Sequence, residues 1–479
     1  MLFPSIVFLS FFAPIFLAVY FFLPWKNLTF FLFSLLFFYW GETKFTSILL
    51  AFILINYIFG LLIGRAPSRS LRQCALALGV AANCSLLFYY KYFFFLLNTV
   101  LPDLFHLESS SHYHPHLPLG ISYFTFHGIS YLVDVYRGVT GYSKSPLNVG
   151  LYISMFPHMV AGPIVRYHTI ANALKKRCFT VDRISFGLRL FVVGLAQKIL
   201  IANNVGAIAD TIFSLAPDAL NASTAWAGVI AYTLQIYFDF CGYTFMAIAI
   251  GIILGFRLPR NFRYPYFSQS ITEFWRRWHI SLSTWFRDYL YIPLGGNRKG
   301  KGRTLFNLFI VFFLFGFCYG AVYSFLAWGV FHGTFLVLER LGGKKVIAKC
   351  PRLFRHTYTM LVVMAGWVLF RADNIGQAGL FYKAMVGLQS APHAQTLPQL
   401  VNHEKMAAFF LGLLFATPLM EWIGKGIQAR VFANSSRTQG GATTLIFRCW
   451  RVLSMGALFI LCYVYILAGT YSPFLYFRF

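Results

Sequence analysis

Charge is what this sequence has least of. Only 11% of its 479 residues are Asp, Glu, Lys or Arg, whereas a water-soluble domain carries about 25%. That excludes an ordinary soluble globule. Acids are scarcer still, 14 against 40 Lys and Arg. Such a basic excess suits either nucleic acid or anionic lipid headgroups. Here the bases sit in short loops between apolar runs, such as Arg65–Arg72 and Lys175–Arg183, so the lipid bilayer is the expected partner and nucleic acid is not. No Cys-x-x-Cys occurs, and the eight cysteines stand singly, mostly inside apolar runs (Cys74, Cys84, Cys241, Cys462). A disulfide framework is excluded, and free thiols packed as small hydrophobes are expected. Lys and Arg are absent before Lys26, and no clear small-residue cleavage site appears, so the first apolar run reads as a retained span. Phosphate-binding loops, dinucleotide glycine patterns, G-x-S-x-G and H-E-x-x-H are also missing. ATP-driven transport and soluble hydrolase chemistry therefore have no support.

What is present is apolar length, with 58% hydrophobic residues and 20% aromatics. A bilayer span takes about 20 apolar residues. The candidates are Ser5–Pro24, Leu28–Trp40, Phe45–Gly64, Cys74–Leu97, Pro118–Val135, Ile184–Asn203, Trp226–Phe256, Thr304–Tyr319, Leu326–Leu338, Tyr358–Phe370, Ala407–Gly424 and Val452–Gly469. Several are short, which suits a thinned bilayer or burial by neighbours. No linker separates them, so residues 1–479 read as a single all-α polytopic membrane domain. The loops Arg65–Arg72, Arg137–Lys144, Lys175–Arg183, Arg257–Arg303, Arg340–Arg355 and Lys425–Arg451 are basic, hence cytoplasmic. Asn98–Leu117 and Asn204–Ala225 contain acids but no Lys or Arg, and fall on the far side. The assignments alternate if both termini face outward. Val149–Ile164 lies between two basic loops and is interrupted by Pro157 and Gly162-Pro163, which predicts a re-entrant or interfacial element.

The densest chemistry lies at Ser268–Arg303. Ser270 and Glu273 fit a capping box at a helix start, and Pro293 with Gly295-Gly296 ends the segment. At helical spacing Phe274, Trp275, Trp278, Leu282, Trp285, Phe286 and Tyr289 share one face, with Arg276, Arg277, Ser283, Thr284, Arg287 and Asp288 opposite. This predicts one interfacial helix, indoles at headgroup level and guanidinium groups toward water. His279 falls at the edge of the apolar face, where partial dehydration tunes its proton affinity; an interfacial histidine without chemistry is the plainer alternative. Gln235 and Asp239 share a face inside a span, as cavity-lining groups or as partners of an Arg or Tyr. Asp134 and Arg137 read as a structural ion pair. His158, Gly162, Pro163 and Arg166 offer backbone amides and a guanidinium to an anion. His332 sits near the cytoplasmic end of a short apolar run, where packing alone also accounts for it. The spacing of His106, His112, His114 and His116 is a weak metal signal, and no metal is expected.

FPHMVAGPIVRY (Phe156–Tyr167), YTLQIYFDFCGY (Tyr232–Tyr243), EFWRRWHISLSTWFRDYLYIPLGGNR (Glu273–Arg298), WVLFRADN (Trp367–Asn374) and PFLYFRF (Pro473–Phe479) together resemble the membrane-bound O-acyltransferases. The resemblance is closest to the alginate O-acetylase branch, related to the D-alanyl transfer protein of teichoic acid, and runs from the first span to the last residue. It implies a ring of tilted helices around a central tunnel, about 12 spans plus re-entrant and interfacial helices, in the bacterial inner membrane. It also implies an acyltransferase with no bound cofactor that takes an acyl group from a cytoplasmic thioester such as acetyl-CoA. An exported or membrane-anchored partner would place the acyl group on a polysaccharide or peptidoglycan hydroxyl. Such families carry Trp-His-Gly where this chain has Cys318-Tyr319-Gly320, and that histidine is the one credited with catalysis. Relatives also carry Ser-Asp where this chain has Thr244-Phe245. His279 and His332 are retained. A tyrosine with an ordinary pKa near 10 is a poor base at neutral pH. The resemblance thus assigns catalysis to His279, His332 and the substituted Tyr319. Donor contacts fall to Arg276, Arg277, Trp275, Trp278 and Arg166, and orientation inside to Gln235 and Asp239. The alternative is an altered or inactive member serving as an acyl channel or scaffold.

Overall fold

In the computed structural model, residues 1–105, 116–419, 421–422 and 441–469 are described, and their regular structure is helical throughout. In hydrocarbon every backbone N–H and C=O must be satisfied within the chain, which favours helices. Seven helices among the described residues are long and apolar enough to cross a membrane: Thr43–Arg65, Arg69–Phe105, Val181–Phe213, Ala222–Ile253, Gly300–Tyr319, Arg352–Arg371 and Cys449–Leu467. Three other expected spans form 16-residue helices, Lys26–Gly41, Ile121–Tyr136 and Tyr323–Leu338, each about 24 Å long. The run expected at Ile184–Asn203 continues to Phe213, through a π-helical stretch at Gln197–Ala202.

Burial separates centre from rim. In Ala222–Ile253 the most apolar stretch is 89% buried, whereas in Cys449–Leu467 it is 6% buried. The first is central to the fold and the second peripheral. Helices Gly300–Tyr319 and Tyr323–Leu338 cross closely because Gly316 and Gly329 meet there; a Cβ on Gly316 would lie 2.4 Å from the Phe325 carbonyl oxygen, and one on Gly329 2.6 Å from that of Phe312. That crossing fixes Tyr319 at the end of its helix. The Val149–Ile164 region folds as two short buried helices, Pro146–Ser154 and Phe156–Met159, broken where the prolines require.

Candidate active site

The site is built on a break, not on a continuous helix. Ile271–Arg277 and Ile280–Phe286 are separate helices, which corrects the expectation of one interfacial helix over Phe274–Tyr289. Between them Trp278 is extended and His279 adopts φ 42°, ψ 52°, a left-handed conformation uncommon for a residue with a Cβ. The first helix starts as its sequence predicts, with Ser270 Oγ accepting the Glu273 N–H at 3.0 Å. The reciprocal half of the box goes elsewhere: Glu273 accepts the Gln269 N–H at 2.9 Å and pairs with Arg277 at 2.6 Å. Buried Glu339 takes the remaining free donors, accepting the N–H groups of Ile271 (2.6 Å) and Thr272 (2.9 Å).

The indoles do not face outward from the protein. Trp275 and Trp278 are buried, packed with Phe274, Trp328 and Trp367. Periodicity detects an apolar face but does not tell lipid from protein as the apolar neighbour, and here protein supplies it.

His279 is 1% exposed, with the Phe240 ring edge-on at 4.6 Å. Its Nδ1 has no hydrogen-bond partner among the described residues. Burial lowers its proton affinity below the ordinary imidazole value, so the ring is neutral near pH 7. His279 and Leu282 form one wall of a cavity of about 220 Å³. Cys318, Tyr319, Phe126, Val160 and Ile164 line it too. Glu42, Lys91 and His116 also line it. His116 belongs to the loop segment 98–117, which contains no Lys or Arg. His116 Nε2 lies 3.0 Å from Glu42 Oε1.

Lys91 is outside the motifs that mark the site in the sequence. Its Nζ donates to the carbonyls of Cys318 (2.5 Å) and Tyr319 (3.3 Å), capping the carbonyl end of that helix with a cation. The signal was there: Lys91 is a lone cation inside the apolar run Cys74–Leu97, and such a residue is a functional candidate.

His332 is as buried as His279 but does not line the cavity. The rings of Trp275 and Trp328 enclose it at 5.2 and 5.0 Å. Gly366 makes room for it, since a Cβ there would lie 2.6 Å from Nε2. Asp239 pairs with Lys198 at 2.7 Å, both about 2% exposed, and Gln235 packs against Gly206. Neither lines the cavity, and Lys198, which pairs with Asp239, lies on the neighbouring helix.

Of the arginines, Arg276 is exposed, Arg277 is held by Glu273, and Arg166 pairs with Asp288 at 2.5 Å. Arg166 and Arg137 lie over the Tyr289 ring, at 5.6 and 5.5 Å from its centroid. The expected Asp134–Arg137 pair is not formed. Asp134 instead accepts from Tyr289 Oη at 2.8 Å and pairs with His168 at 2.8 Å, while Arg137 donates to the Asp288 carbonyl at 3.1 Å. Tyr289 comes between acid and base. The amides expected to face an anion near Gly162 are also engaged: Ile164 N–H donates to Ser281 Oγ (3.0 Å) and Val165 N–H to His127 Nε2 (3.2 Å). His158 is buried against His127, ring centroids 4.2 Å apart. No group of three or more His, Cys, Asp or Glu among the described residues is placed to hold a metal. His106, His112, His114 and the Pro473–Phe479 motif lie outside the described residues.

Comparison with known proteins agrees with this architecture. The model of the membrane-bound O-acyltransferase family matches residues 6–376. A probable alginate O-acetylase of Pseudomonas putida is 38% identical over 497 residues, covering 100% of both chains. Its counterpart in Azotobacter vinelandii is 42% identical over 391 residues, 80% of this chain and 78% of that protein. A peptidoglycan O-acetyltransferase of Helicobacter pylori is 33% identical over 482 residues, 93% of this chain and 90% of that protein. The chain belongs to the membrane-bound O-acyltransferase family.

Proposed function

We propose that this acyltransferase passes an acetyl group from a cytoplasmic thioester, acetyl-CoA, across the inner membrane to modify an exported polysaccharide or peptidoglycan. A membrane-anchored or exported partner completes the delivery. The observation that carries the reading is that His279 and Tyr319 line one cavity. Neutral His279 removes the proton of the attacking hydroxyl as that oxygen bonds to the thioester carbonyl carbon. Tyr319 donates its phenolic O–H to the carbonyl oxygen as negative charge develops there. The C–S bond then breaks, and His279 returns its proton to the departing sulfur, which leaves as the free thiol and restores the neutral imidazole. A cavity of about 220 Å³ suits a short acyl group better than a fatty chain. Arg276, Arg277 and Arg166 supply positive charge for the donor phosphates on the basic face, while Trp275 and Trp278 back the wall that carries His279.

Radiolabelled acetyl transfer from acetyl-CoA, in membranes holding this chain and its partner, tests the proposal. Label should reach polymer; none reaching it, with folded protein and partner present, rejects it.

One observation favours a second reading. Tyr319 stands in the cavity wall where the family resemblance places a histidine, so the chain would keep fold and partner contacts as a scaffold or acyl channel without transfer. Tyr319→His separates the two: transfer appearing only in the variant supports the scaffold.

A further inference from the structure

We infer that Asn261 is a positioning residue, holding His279 at the cavity through the backbone of the helix that follows it. This rests on the catalytic reading of His279 and goes beyond it. The helix Ile280–Phe286 has His279 in its cap position, and no side chain of that residue caps it. Its first amides are instead satisfied from a distant segment. The carbonyl oxygen of Asn261 accepts the Ile280 N–H at 2.9 Å, and its side-chain Oδ1 accepts the Ser281 N–H at 3.1 Å.

The neighbours of Asn261 extend the same bracket. Arg263 N–H donates to the Arg277 carbonyl at 3.0 Å, and Phe262 packs edge-on against Trp278 (5.0 Å) and Phe240 (4.9 Å). Phe240 is the ring that contacts His279. Residues 261–263 therefore lie alongside 277–281 and hold the break between the helices open. Without that clamp the segment has the composition of one continuous helix, and a continuous helix would turn His279 to a different direction. A left-handed backbone at a residue with a Cβ persists only where its surroundings enforce it. Asn261 is 1% exposed, so its bonds do not compete with water.

Asn261→Ala removes the side-chain acceptor and keeps the backbone one. Asn261→Asp restores an acceptor at a helix N-terminus, where negative charge is favoured. In the acetyl-transfer assay Asn261→Ala should lower kcat by about ten- to a hundredfold, with the donor KM within about twofold, as expected for a misplaced catalytic group. Its acid limb should shift relative to wild type, and Asn261→Asp should recover most of kcat. In a His279→Ala background Asn261→Ala should add no further loss. Unchanged kcat in Asn261→Ala, failure of Asn261→Asp to recover it, or additive losses in the double variant would each overturn the inference. If Asn261→Ala does not accumulate as folded protein, Asn261→Ser, whose shorter side chain falls away from Ser281, takes its place with the same expectations. If His279→Ala alone leaves transfer intact, the catalytic reading itself fails. If His279→Ala abolishes transfer while Asn261→Ala is silent, only the role of Asn261 is lost.

Discussion

His279 and His332 are two buried imidazoles of one protein, and the fold treats them differently. His332 lies within a regular helix, Tyr323–Leu338, enclosed by two indoles and backed by Gly366. His279 lies at a helix break, in a left-handed conformation, on the wall of a cavity shared with Tyr319. Their exposure, 1% and 0%, does not distinguish them; access to a cavity does. A group on a cavity wall is available to a substrate, and of the two imidazoles only His279 lines this cavity.

Substitutions can sharpen or break this contrast. His279→Ala should have the largest effect, lowering acetyl transfer by about a hundred- to ten-thousandfold, the usual contribution of a general base; scintillation counting of labelled polymer measures it. Tyr319→His should come next. It places a group with a pKa near 6.5 where a phenol now stands, and should raise transfer by about tenfold or more if the phenol limits the rate. A smaller effect belongs to pH. Because burial lowers the proton affinity of His279, the base form is already present below the ordinary imidazole range and is lost only as pH falls through the lowered value. The acid limb of kcat should accordingly lie below about pH 6.5, and a limb at or above that value would remove His279 as the base. His332→Phe should have the smallest effect on chemistry, within about threefold in transfer, since it exchanges one buried ring for another. A loss as large as that of His279→Ala would erase the distinction between the two.

The sequence made the membrane class and the interruption of the Val149–Ile164 run legible, because composition and proline placement are local properties. It missed the break at His279. The apolar spacing from Phe274 to Tyr289 suits a continuous helix, and the groups that interrupt it, Asn261 and Phe262, come from a loop remote in pattern though close in space. Ion pairs failed for a similar reason. Asp134 and Arg137 are neighbours on a helix, but Tyr289 arrives from a different element to take the carboxylate. The pairing of Asp239 with Lys198 likewise depends on how two helices pack, which no periodicity within either one encodes. Lys91 was visible as a lone cation in an apolar run, and its role at the end of the Tyr319 helix became clear only with the carbonyls it caps.

Accessibility is the most direct measurement. In a chain with its eight native cysteines replaced by alanine, His279→Cys and His332→Cys can each be treated with a membrane-impermeant maleimide in right-side-out and inverted vesicles. With the loop 98–117 on the far side, as its lack of Lys and Arg predicts, position 279 should be labelled in right-side-out vesicles and position 332 protected in both. Labelling of 332 as fast as 279, or of 279 only from the cytoplasmic face, would contradict that expectation.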